Sequence, residues 1–192
     1  DILHYRLPRG DRAVIGPIAT RLARLRRAQD GVSAVEFALI VPVLLFLYLG
    51  AAEAAQALMA HRRAAQSAAV VAELVSQSRT VGNATIGQIF AAGELVVAPF
   101  STVGMTQRIT SLAVGSDGVA RVQWSDARNG TARPAGAAVA LPPGVAFPDE
   151  TLIMAEIGYA YASPLGLILP NLLSFDETAF VRPRFEDRVL RQ

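Results

Sequence analysis

"DGVSAVEFALIVPVLLFLYLGAAEAAQALMAHRR", residues 30–63, decides how this chain is built. The sixteen residues from Phe37 to Ala52 carry no charge, and beyond Glu53 the run "AAQALMA" stays apolar to Ala60. A helix needs about 20 mostly apolar residues to cross a bilayer, so residues 37–60 are long enough. The Leu, Phe and Val content of the first half favours lipid over a soluble core. Pro42 removes one helical hydrogen bond and bends the helix, a defect that bilayer helices tolerate. Arg21, Arg24, Arg26 and Arg27 precede the run, while His61, Arg62 and Arg63 follow it. That bias puts the N-terminus on the cytoplasmic side and the rest of the chain across the membrane.

Two carboxylates interrupt this picture. A charge at the bilayer centre costs roughly 2.5–3.5 kcal/mol on insertion scales and ordinarily has a partner or a task. Glu53 is expected at the far interface. Glu36 lies just inside the near edge, five residues after Gly31.

The remainder of the composition narrows the function classes. Residues 1–30 hold seven Arg against Asp1, Asp11 and Asp30, whereas residues 31–192 hold eleven Arg against thirteen acids, so the basic balance comes from the leader. All 18 basic residues are Arg, which suits bidentate phosphate binding, but the coding bias of a GC-rich genome also accounts for the abundant Ala and Val and is the favoured reading. Without Cys there is no disulfide, thiolate metal site or cysteine nucleophile. His4 and His61 offer no triad and no metal cluster; His61, beside Arg62 and Arg63, is expected to contact lipid headgroups. No phosphate-binding glycine loop is present, and the acids are scattered. The leader arginines lack interleaved aromatics, so nucleic-acid binding is not expected. The expectation is a non-enzymatic chain without cofactor or metal.

After Ala60 the chain continues with good helix formers to about Ser78. Ala60, Ala64, Ala68 and Ala72 recur every four residues, which is either a packing stripe or plain helix propensity. "NATIGQIFAAGELVVAP" reads as a second helix: Thr85 and Gln88 suit a capping box, Pro99 ends it, and Ile86, Ile89, Phe90, Gly93 and Val97 share a face. "QRITSLAVGSDGVARVQWS" reads as a hairpin turning at residues 115–118, with Ala120, Val122 and Trp124 alternating against Arg121 and Gln123. Residues 127–148, rich in Gly and Pro, read as a long loop, functional or mobile. A third strand, Thr151 to Tyr161, puts Ile153, Ala155, Ile157, Tyr159 and Tyr161 on one face, and a fourth runs from Glu177 to Arg182. The fold class is therefore α+β: a long N-terminal helix, transmembrane in its first half, packed on a small antiparallel sheet of about four strands. Its expected domains are a basic leader (1–31), the transmembrane and continuing helix (32–80) and an extracytoplasmic domain (81–192).

The Arg-rich leader, Gly31, Glu36, Phe37 and the apolar helix together resemble the processing site of type IV prepilins. "AVEFALIVPVLLFLYLGAAE" resembles the opening of TadE-like pseudopilins of the tight-adherence (Flp) pilus system, and "AEIGYAYASPLG" and "DETAFVRPR" resemble later parts of the same proteins. The resemblance implies a pilin-like layout and cutting by a prepilin peptidase between Gly31 and Val32, which makes Glu36 the fifth residue of the mature chain. It implies assembly contacts at Glu36, Phe37 and Glu53, with Glu36 pairing with a neighbouring subunit's amino terminus. The implied partners are the peptidase, other pilins or pseudopilins, inner-membrane pilus assembly proteins and the lipid bilayer. The implied location is the bacterial inner membrane, single-pass, with the C-terminal domain periplasmic. Major Flp pilins have Tyr after the glutamate and very short mature chains, whereas Phe37 and an ectodomain here point to a minor pseudopilin.

A different reading treats the first 57 residues as an ordinary export signal, since Ala55-Gln56-Ala57 has the A-x-A form and would leave Leu58 as the new N-terminus. One further stretch, "SPLGLILPNLL" at residues 163–173, is apolar yet broken by Pro164, Gly166 and Pro170. It is a core plug, or else a subunit or membrane-surface contact. The contact reading predicts that Leu167→Asp and Ile168→Asp abolish partner capture with circular dichroism unchanged; an unfolded variant returns the segment to the core.

Overall fold

The computed structural model describes residues 30–163, 166, 173–185 and 188–192. The leader and most of the apolar 163–173 segment, with Leu167 and Ile168, lie outside the described residues. The chain divides into two compact units at Tyr48/Leu49. In the first unit, residues 30–48 are helical. They belong to α1, Asp30–Ser76, which includes Pro42 and whose second half belongs to the second unit. The helix thus ends close to the expected Ser78.

The rest of the second unit follows in the order β1 (Thr80–Val81), α2 (Asn83–Val97), β2 (Thr106–Val114), β3 (Ala120–Arg128), β4 (Ala138–Val139), β5 (Thr151–Tyr161), β6 (Leu173–Val181) and β7 (Leu190–Arg191). The main sheet is β4-β3-β2-β5-β6, antiparallel throughout. It has five strands rather than about four, because two residues of the 127–148 loop pair with β3. That edge strand is too short to carry a period-two signal. The β6 strand starts at Leu173, four residues before its expected start. The last residues return to form a parallel pair, β1 with β7, which the sequence did not announce.

The alternatives for the alanine stripe resolve in favour of packing. Ala60, Ala64, Ala68 and Ala72 are all buried, and with Ala57 and Val71 they form the face that meets the sheet. Small side chains let a helix approach its neighbour closely, so each alanine is worth more for what it leaves room for than for its own area. Two clusters line this contact. In one, Ala57, Ala60, Ala64 and Ala68 pack with Val97, Met105, Ile157, Tyr159 and Tyr161. In the other, Val71, Ala72 and Val75 pack with Ile86, Ile89, Phe90, Ile109, Ile153 and Ala155. Consequently β5 runs antiparallel to α1, with Tyr161 level with the earlier part of the stripe and Ile153 with the later part.

Helix α2 buries the expected face: Ile86, Ile89, Phe90, Gly93 and Val97. The capping box is a correction. The helix starts three residues earlier, with Gly82 at its N-cap and no side-chain cap, so Thr85 lies inside the first turn. Side chains from both neighbours tie it down: Ser67 Oγ donates to the Gly93 carbonyl at 2.8 Å and Gln107 Nε2 to the Phe90 carbonyl at 2.9 Å. Gly93 is required by this closeness, since a Cβ there would lie 2.5 Å from Gln107 Oε1 and 2.7 Å from Val71 Cγ2.

The hairpin forms with one correction. Ser111 pairs with Trp124 but Leu112 with Val122, so Gln123 is an extra residue and the ladder shifts. A bulge of this kind reverses which face the following residues occupy. Val122 therefore lies with Leu112, Leu152 and Met154 on the outer face, while Trp124 packs on the helix-side core and donates from Nε1 to the Val189 carbonyl at 2.8 Å. The outer apolar patch is covered by the 127–148 segment, through Ala137, Val139, Leu141, Val145 and Ala146. This segment is a lid on a second core.

Two glycine substitutions in α2 separate packing from propensity. Gly93→Val should lower stability by about 1–3 kcal/mol through overpacking. Gly87→Ala, where a Cβ meets nothing within 4 Å, should raise it by up to about 1 kcal/mol. Denaturant melts of the detergent-solubilised chain read both, and equal signs would contradict the packing described.

Candidate functional site

The residues expected to matter for processing and assembly fall into different surroundings. Gly31 and Val32 occupy the first turn of α1, Gly31 with nothing within 4 Å of a notional Cβ. Glu36 and Phe37 are exposed in the following turns, Phe37 at 68 %. Leu39, Ile40, Val43, Leu44, Leu45, Phe46, Leu47 and Tyr48 are likewise more than half exposed. A helix apolar on every side and covered on none fits a non-aqueous solvent rather than a core. It is long and apolar enough to cross a bilayer.

Glu53 differs. Expected at the far interface as an assembly contact, it is 1 % exposed, one turn before Ala57 on the face that enters the folded unit. The structure therefore does not bring Glu36 and Glu53 into one environment. His61, expected as a headgroup contact, keeps its side chain 44 % exposed and also has a partner within the folded unit. Its Nε2 lies 2.7 Å from Glu177 Oε1, and its ring meets Phe175 edge-on. The sequence reading had no means of pairing His61 with a strand more than a hundred residues away.

A polar site that the sequence reading missed lies on the outer face of the sheet. Glu156 of β5 receives Arg108 of β2 through two bonds, Nε to Oε2 at 2.7 Å and Nη2 to Oε1 at 2.8 Å. Arg133, from the segment after β3, adds a third at 2.7 Å. Arg108 and Glu156 are direct cross-strand partners. A lone Arg in "QRITSLAV" and a lone Glu in "LIMAEIGYAY" were the available signal. Beside them is a cavity of about 310 Å³ lined also by Thr106, Thr131, Asp176 and Thr178. Burial raises the Glu156 pKa, but hydrogen bonds from Arg108 and Arg133 outweigh it, so the carboxyl sits below its ordinary value of 4.5. The Arg108 guanidinium is correspondingly raised by its bond to Glu156. Such a pair holds neighbouring strands together. Among the described residues no group of His, Cys, Asp and Glu could hold a metal ion.

Residues 31–73 match the model of the family described as TadE-like protein. The match coincides with α1 from Gly31 to Glu73, taking in Glu36, Phe37, Glu53 and the whole alanine stripe. Comparison with curated proteins and with solved structures gives no match.

The sign of the Glu156 effect is testable. A depressed folded-state pKa contributes stability that is fully present above 4.5 and is lost as pH falls through the lower folded value. Glu156→Gln should therefore cost about 1–3 kcal/mol at neutral pH, and the gap to the unmodified chain should close on acidification. Melts across the acid range check this; a gap that stays constant would mean that Glu156 acts through packing.

Proposed function

We propose that this chain, with its TadE-like segment at residues 31–73, is a minor pseudopilin of a tight-adherence (Flp) pilus or related secretion machine. It acts by helix packing and subunit contacts, without turnover. The observation that carries the reading is the coincidence of the family match with a helix whose first half is apolar all round and exposed, and whose second half is the spine of a folded domain. An assembly helix that leaves the bilayer for a filament needs both properties: an apolar surface acceptable to lipid and to neighbours, and a continuation into its own folded domain.

In this proposal a prepilin peptidase cuts between Gly31 and Val32, on the cytoplasmic side of the inner membrane, and the domain from about residue 49 onward is periplasmic. Both cleavage residues lie in the first turn of α1, where helices fray most readily, so little structure must open for the bond to be presented. After cleavage Glu36, five residues into the mature chain, pairs with the amino terminus of an adjacent subunit. In a helix bundle, an unpaired buried charge costs about 3–5 kcal/mol, which would make register selective. Phe37 packs alongside.

The competing export-signal reading cuts before Leu58. That cut would remove Glu53 and Ala57, both buried in the folded unit, so it carries less weight.

Mass spectrometry of the full chain, co-expressed with a prepilin peptidase and extracted from membranes, should find a protein beginning at Val32. A chain beginning at Leu58, or one with its leader intact, would overturn the proposal. Glu36→Leu should leave the cut in place but reduce recovery of the protein in sheared pilus fractions severalfold.

A further inference from the structure

The two edges of the main sheet are built differently. At one edge β4 is two residues long and lies in a segment that contains Pro134, Pro142 and Pro143. Very short strands and prolines are means by which an edge avoids pairing with another chain. At the other edge β6 is nine residues long, keeps a single register against β5 and contains no Pro, Lys or Arg. Its charges are Asp176 and Glu177.

The ladder shows which backbone groups of β6 are free. The Val114 N–H donates to the Glu150 carbonyl, so even-numbered residues of β5 turn their backbone groups towards β2. Antiparallel bonding alternates along a strand, so the odd-numbered residues turn theirs towards β6. Their partners Phe175, Glu177 and Ala179 bond back to β5, and the N–H and C=O of Ser174, Asp176, Thr178 and Phe180 point away from the sheet. Among the described residues none of those outward groups has a bonding partner.

The layer under α1 is also incomplete on this side. Ile153, Ala155 and Tyr159 of β5 are buried, whereas their cross-strand partners Val181, Ala179 and Phe175 are only half-buried. On the opposite face Asp176 is exposed and borders the cavity beside Glu156. Arg108 and Glu156 there are bonded to each other, while Asp176 has no ion pair among the described residues.

We propose that β6 is a pairing edge that takes an added strand from a partner protein: an extended segment alternating apolar and polar residues, with a basic residue where its polar face meets Asp176. Main-chain bonds to Ser174, Asp176, Thr178 and Phe180 supply affinity, and the two faces supply selectivity. Apolar side chains of the added strand extend the layer that Phe175, Ala179 and Val181 leave half-covered. The basic side chain makes an opposite-charge cross-strand pair with Asp176. The β6 strand of a second copy has no such basic residue. Every group involved belongs to the unit from Leu49 onward.

The test uses the full chain in detergent and two fluorescent probe peptides as long as β6. Both alternate Thr and Val, and the central Thr is replaced by Arg in one and by Glu in the other. The pattern reads the same in both directions, so either strand direction is allowed. The Arg probe should bind several-fold more tightly than the Glu probe and slow hydrogen exchange at residues 173–181. Asp176→Arg should invert the preference. Thr178→Pro removes an outward N–H at an edge, where Pro is tolerated, and should abolish binding with circular dichroism unchanged. If that variant unfolds, the inversion by Asp176→Arg decides alone. No binding, equal affinity for the two probes, or protection confined to other strands overturns the proposal.

Discussion

The contact on which the domain depends is the close approach of α1 to the sheet across Ala57, Ala60, Ala64, Ala68 and Ala72. A larger side chain at any of these would hold the helix off β5 and open the core beneath. Because the stripe is narrow and made of methyl groups, the area it buries is modest. The domain recovers stability by wrapping other elements around the helix: α2 is drawn in through Gly93, and the chain's last residues are fastened to β1. That fastening is polar as well as apolar. Arg191 grips Asp126 through two bonds, while Arg184 reaches Glu73 and bonds through its backbone to Ser76 at the end of α1.

The same helix must satisfy a second environment. Up to Tyr48 it presents Leu, Val and Phe in all directions, and from Glu53 onward it has a distinct small-residue side. The change takes place over about two turns, without a break in the helix. Glu53 sits at the change, on the buried side. Within the proposed function, the two carboxylates therefore have opposite settings: Glu36 is exposed on a helix waiting for a neighbour, while Glu53 is enclosed by its own domain.

Much of this was legible in the sequence because it is periodic. The apolar run, the four-residue alanine repeat, the α2 face from Ile86 to Val97, and the Ile153 to Tyr161 alternation each express one local period strongly enough to read. What escaped was non-periodic or non-local. The bulge at Gln123 is one inserted residue in a strand that still alternates on either side of it, so the face of Trp124 was misread. The capping signal at Thr85 was outweighed by Gly82, which lets the helix start without a side-chain cap. The role of residues 127–148 as the lid of a second core depended on Val122 and Leu152 facing outward, which only the register reveals. The Arg108–Glu156–Arg133 cluster and the His61–Glu177 pair join residues far apart in the chain, and no spacing rule connects them.

The central claim is that the exposed apolar half of α1 is an assembly surface as well as a membrane anchor. The direct measurement is photo-cross-linking from a reactive amino acid placed at position 37, in place of Phe37, in cells carrying a complete pilus machine. The account predicts a covalent adduct between this chain and a second pilin-type subunit. Adducts with lipid alone, in cells that assemble pili normally, would contradict it.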